Sequence, residues 1–152
     1  IYCTTWERLQ KDAEYEHPNI SKLMDAKIVY CADEKYRERL ENLRKKASGI
    51  LTAPFSEEDY TKAEKLLKEA EQYYTLAMIS EQQSDVLDGA GRVIYYVENV
   101  IAMLNKRYFR YGVKRAYEEL NAMENRPENL CGLIDAVLSA TSVTRIEKSG
   151  HF

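Results

Sequence analysis

Apolar positions along this chain recur mostly at steps of three and four, the spacing of one helical face. After Asp33, a good N-cap, Tyr36, Leu40, Leu43, Ala47 and Ile50 keep that spacing. Arg44, Lys45 and Lys46 follow in its last turns, where cations suit the carbonyl end, and Gly49 with "TAP" closes the helix. Ser56 and Asp59 approximate a capping box that opens a second long helix. Tyr60, Ala63, Leu67, Ala70, Tyr74 and Ala77 give it a narrow seam of alternating large and small residues, suited to antiparallel packing. A third helix, from about Ser84 to Tyr111, carries Val93, Ile94, Val97, Val100, Ile101, Leu104 and Tyr108. A stripe that wide predicts a central helix touched on several sides. Gly89 and Gly91 near its start cost about 1 kcal/mol each against alanine. They predict either a late start or the close approach of another backbone or a ligand. Gly112 is expected to close this helix in the left-handed conformation. "VKRAYEELNAM" is a shorter fourth helix, "ENRPEN" a turn, Leu130 to Ala140 a fifth helix, and "TSVTRIEKSGHF" the start of a sixth.

The first residues read differently. "IYC" is β-prone, Thr4 or Thr5 caps a short helix "TWERLQKDAEY", "HPN" breaks it, and "SKLMD" is one more helical turn. "AKIVYC", Ala26 to Cys31, has the β-branched and aromatic content of a strand. The expected fold is therefore mostly α. An antiparallel bundle of four to five helices spans residues 33–152, and a short α/β remnant with one or two strands precedes it over 1–32. Two short strands do not make a stable sheet alone. They are expected to pair with segments outside this chain, which begins at Ile1 and reads as a piece of a longer protein.

Composition narrows the classes. The 152 residues are 45% hydrophobic and 31% charged, with a net charge of −3. Such a balance gives no global pull toward nucleic acid. No apolar run approaches the roughly 20 residues that span a bilayer, and no signal peptide is visible, so a cytoplasmic location without a membrane partner is expected. Cys3, Cys31 and Cys131 are far apart, no C-x-x-C pair occurs, and the histidines are His17 and His151. That excludes a zinc framework or a disulfide scaffold as the organising principle.

The chemistry gathers around the end of the central helix. Between Lys106 and Arg115 lie five cations, three aromatics, one glycine and no acid. One reading is a helix end, where cations suit the carbonyl dipole. The other is an anion grip. Lys114 and Arg115 continue across Gly112 into the next helix start, where free N–H groups and cations favour an anion together. On this reading Asn105 and Tyr108 join them in a polar-ligand site. Glu98 lies seven residues before Asn105, on the same edge of the apolar stripe. It is either a boundary residue or a general base facing a cleft. Twelve tyrosines suit half-wet clefts and helix packing equally. Arg145 and His151 have the R-x5-H spacing of one class of helical ribonucleases, with Gly150 inside it. No P-loop, dinucleotide fingerprint or nucleophile–histidine arrangement is present.

"LNKRYFRYGVKRAYEELNAMENRPENL" resembles a segment of bacterial nucleotidyltransferases of the polymerase-β superfamily, the group that includes antibiotic nucleotidyltransferases. "KLMDAKIVYCADEKYRERLENLRKKA" resembles the point where their catalytic domain ends in a last strand and the helical bundle begins, with Cys31 where an acid is more usual. The family's Gly-Ser or Gly-Gly turn and Asp-x-Asp pair are absent. The resemblance implies a catalytic half upstream that holds Mg²⁺ and a nucleoside triphosphate, with no metal or nucleotide held by this chain's own residues. It implies transfer of a nucleoside monophosphate to a small-molecule hydroxyl, with pyrophosphate leaving. Glu98 would be the base, Lys114 and Arg115 would meet phosphate or a polar acceptor, and Asn105 and Tyr108 would orient it. The implied partners are the acceptor, the nucleotide and the upstream domain. Two alternatives remain: an R-x5-H ribonuclease toxin acting as a homodimer, and a non-catalytic helical module that pairs with a separate subunit.

Overall fold

A computed structural model describes residues 3–112 and 115–140. Seven helices are found among them: α1 (Trp6–Ala13), α2 (Ser21–Met24), α3 (Glu34–Thr52), α4 (Glu57–Ile79), α5 (Gln83–Leu104), α6 (Ala116–Asn121) and α7 (Leu130–Leu138). Local chemistry sets their starts. The Thr5 hydroxyl accepts from the Arg8 N–H, the Asp33 carboxylate accepts from the Lys35 N–H, and Ser56 with Asp59 forms a full capping box.

Two apolar cores share α5. The first joins Ala13, Tyr15, Ile20 and Leu23 from the N-terminal segment to Ala47 of α3, Ala63 of α4 and Met103 of α5. The second joins Ile101 and Ala102 of α5 to Phe109, Ala116, Leu120, Met123, Leu130 and Ile134. The predicted central position of α5 is thus observed. So is the α3 face, where Leu40, Leu43 and Ile50 flank the first core around Ala47. The segment before residue 32 supplies four of the seven buried residues of that core, Ala13, Tyr15, Ile20 and Leu23.

The α4 seam works through its alanines. Ala63, Ala70 and Ala77 are buried, while Tyr60 and Leu67 are largely exposed. Small residues on every second turn let α4 lie close along α5. Gly89 meets this approach. A Cβ built there would stand 2.8 Å from the Ala77 Cβ and 3.2 Å from the Tyr73 carbonyl oxygen. Of the two readings of this glycine, close backbone approach is the one found.

Two expectations are corrected. No strand occurs among the described residues, and residues 26–31, expected as a strand, adopt no regular element. Val29 and Tyr30 are 94% and 83% exposed. Strand-forming composition produces a ladder only when a neighbouring strand offers N–H and C=O partners. Ile1 and Tyr2 lie outside the described residues. The second correction concerns α5, which ends at Leu104 rather than continuing to Tyr111. Gly112 does adopt a positive φ of 69°, but it sits in the loop beyond.

Gly89→Ala should destabilise the fold by about 1–2 kcal/mol, because overpacking at the α4–α5 contact outweighs the gain in helix propensity. Gly91 has open space around its Cβ direction. Gly91→Ala should therefore stabilise by about 0.5–1 kcal/mol. Urea unfolding of the two variants measures both signs.

Candidate functional site

The end of α5 is shaped by a capping interaction formed without glycine. The Arg107 N–H donates to Ala102 O at 2.9 Å and the Lys106 N–H to Met103 O at 3.0 Å. This is the paired pattern of a Schellman motif, and it places Lys106 at φ 52°. A non-glycine residue pays about 1–2 kcal/mol for that conformation. The side chain supplies the compensation: Lys106 Nζ donates to Asp59 Oδ2 at 2.7 Å, with both groups almost fully buried. The same oxygen accepts from the Ser56 N–H at 2.8 Å and the Ser56 hydroxyl at 2.7 Å. Burial pushes the Asp59 carboxyl up, but the Lys106 and Ser56 hydrogen bonds outweigh it and hold the group below its ordinary value.

Tyr15 completes the junction. It closes α1 at φ 53°, is fully buried, and donates its hydroxyl to Arg107 O at 2.5 Å. Burial first, and then the charge of Asp59, push this phenol above its ordinary range.

The turn at Asn105 folds the basic segment back on the protein, where most of its cations find acids. Lys106 meets Asp59, Arg110 meets Asp25 at 3.3 Å, and Arg115 meets Glu118 at 2.6 Å while stacking over Tyr111. The Arg110 and Tyr111 N–H groups both donate to the Glu119 carboxylate, at 2.9 and 3.0 Å. An anion does rest against this loop, and it is the chain's own. Arg107 is exposed and is the cation of the segment without a side-chain partner among the described residues.

The five expected site residues therefore separate. Asn105 caps α5. Its amide donates to Ile101 O at 2.8 Å and Asn125 O at 2.9 Å, and its Oδ1 accepts from the Asn125 N–H at 2.9 Å. That side chain is a clamp between α5 and the 124–127 turn. Tyr108 donates to Asp25 Oδ1 at 3.2 Å and packs on the first core. Arg115 is a solvated helix-end cation. Lys114 lies outside the described residues, as do Arg145 and His151. Glu98 is buried at 9% exposure on α5 and has no hydrogen-bond or ion-pair partner among the described residues. Burial pushes its carboxyl up to about 7. A carboxyl raised toward neutrality by burial suits a general base working near pH 7.

A second polar cluster was not legible in the sequence, because its members come from segments some eighty residues apart. Asn19 Nδ2 donates to the Tyr95 hydroxyl at 3.1 Å and to Asn99 Oδ1 at 3.0 Å. Beside it Arg8 holds buried Asp12 at 3.1 Å. His17 Nδ1 accepts from the Asn19 N–H at 3.2 Å. These bonds tie the α1–α2 turn to α5, and every member is occupied within the fold.

No family model, curated protein or solved structure matches this chain. Among the described residues no group of three His, Cys, Asp or Glu side chains is placed to hold a metal ion, and no helix is long and apolar enough to cross a membrane.

The pH dependence of Glu98 has a definite sign. Its folded value of about 7 lies above the ordinary 4.5. Between those values the native state binds more protons than the unfolded chain, so stability falls as pH rises through the window. Glu98→Gln removes that loss. The variant should match the wild type near pH 4 and exceed it by about 1–2 kcal/mol at pH 8, measured by urea unfolding at both pH values.

Proposed function

We propose that this chain is the acceptor-side helical half of a nucleotidyltransferase-like protein, with Glu98 as the base that accepts the proton of an attacking hydroxyl. The observation that carries this reading is Glu98 itself, a buried carboxylate on the central helix with no hydrogen-bond or ion-pair partner among the described residues. A group in that state destabilises the fold at pH 7 and does no structural work through pairing. Such a cost is a frequent mark of a functional carboxylate. Mg²⁺ and the nucleoside triphosphate belong to the other half of the protein in this reading. The likeness of the 104–130 segment to nucleotidyltransferase bundles supports the reaction class. Arg107 takes the place of Arg115 beside Lys114 as the cation assigned to phosphate or to a polar acceptor, since it alone among the described cations of that loop has no side-chain partner among the described residues.

The exposed Val29–Tyr30 segment favours a second reading, in which the bundle is a non-catalytic module that pairs with a β-sheet of a separate subunit. An exposed β-prone segment can add to an open sheet edge.

The test uses the full-length protein, Mg²⁺, nucleoside triphosphates and a panel of hydroxylated acceptors, with pyrophosphate release as the readout. Glu98→Gln should lower kcat by about 10²–10³ with KM changed only a few-fold, and should remove an ionisation near pH 7 from the profile of kcat/KM. A variant that keeps the wild-type rate and profile, while showing the stability gain at pH 8, removes the catalytic reading and leaves the pairing module.

A further inference from the structure

An apolar cavity lies between α4, α5 and α7. Its origin lies in side-chain size. The α4 alanines draw that helix onto α5, while Leu130 and Ile134 seat α7 on the other flank of α5. The space between α4 and α7 stays open. It has a volume of about 580 Å³, with Leu67, Tyr74, Val97, Leu133 and Val137 among its walls. That volume is within the range of small-molecule sites, and so is the apolar lining with few polar groups.

One charge lies among the lining residues, the carboxylate of Glu71. It has no ion pair among the described residues, and Lys68, one turn earlier on α4, is already held by Glu64 at 3.0 Å. Tyr74 is the other lining residue that carries a polar side-chain atom. An apolar body fills such a space by the hydrophobic effect, and the charge it should carry at one end is positive. We infer that this cavity binds a lipophilic cation: an apolar chain or ring system that ends in a protonated amine next to Glu71. The inference does not rest on Glu98 or on nucleotidyl transfer, because neither Glu98 nor Arg107 is among the lining residues.

The probes are n-alkylamines and the n-alkanoates of equal length, kept below their micelle concentrations. They are titrated into the full chain by calorimetry, with amide chemical shifts recorded in parallel. The amine should bind tighter than the carboxylate by about three- to tenfold, the scale of one partly screened ion pair. Each added methylene should tighten binding by up to about fourfold until the cavity is filled. Glu71→Gln should remove the preference for amine while retaining affinity for the alkyl chain. Leu133→Trp, which fills the cavity, should abolish both. Should that variant fail to fold, the wild-type shift changes serve in its place, and they should be confined to α4, α5 and α7. Equal affinity for amine and alkanoate, shifts centred elsewhere, or a sedimentation result in which a second copy of the chain closes this face and excludes the amine would each overturn the inference.

Discussion

The fold turns on one buried ion pair, Lys106 to Asp59. Asp59 is the capping-box acid of α4, and Lys106 is the first residue past the C-cap of α5. Their contact joins the start of one long helix to the finish of its antiparallel neighbour. Tyr15, which ends α1, lies in the same junction and holds the Arg107 carbonyl. Two of the three chain reversals gathered there use non-glycine residues at positive φ. Such strain persists only where the surroundings over-determine it. Here burial, three hydrogen bonds to one carboxylate oxygen and the Schellman pattern all fix the same geometry. The contribution of Asp59 is present above the ordinary carboxylate range and lost as pH falls through its lowered value.

Much of the local chemistry follows from where that pair stops α5. A helix continued to Tyr111 would spread the basic residues around its circumference. The turn at Asn105 instead brings Lys106 to Asp59 and Arg110 to Asp25, while the Arg110 and Tyr111 N–H groups meet Glu119, so three different segments supply the acids. A cluster that looks like a receptor in one dimension becomes mostly self-neutralised in three. Glu98, about two turns before the junction, has the opposite history. In the sequence it is either a boundary residue or a base, and in the fold it is a buried carboxylate without a partner among the described residues.

The sequence carried the helices well wherever the signal was local. Thr5, Asp33 and Ser56 cap as their side chains require, and the apolar stripe of α5 identified the central helix. Gly89 was legible as either a late helix start or a close approach, because a helix-interior glycine carries a cost, and the Ala77 contact decides for the approach. The early end of α5 was not legible. Lysine has no propensity for the left-handed region, and its reason for adopting it is an aspartate 47 residues away. The 26–31 segment misled for the converse reason: strand composition was present and the strand's partners were not. Among the candidate site residues, burial explains why Glu98 kept its role as a candidate. Long-range pairing with Asn125 and Asp25 explains why Asn105 and Tyr108 became structural.

Lys106→Gly separates the two demands placed on this residue, because glycine suits the backbone and deletes the ion pair. If positive φ were the main constraint, the variant would gain roughly 1 kcal/mol. If the buried pair is the constraint on which the junction depends, leaving Asp59 uncompensated should cost about 2–4 kcal/mol net. Urea unfolding of the variant at pH 7 decides by sign. A clear loss of stability is the result predicted here, and stability equal to or above the wild type would contradict it.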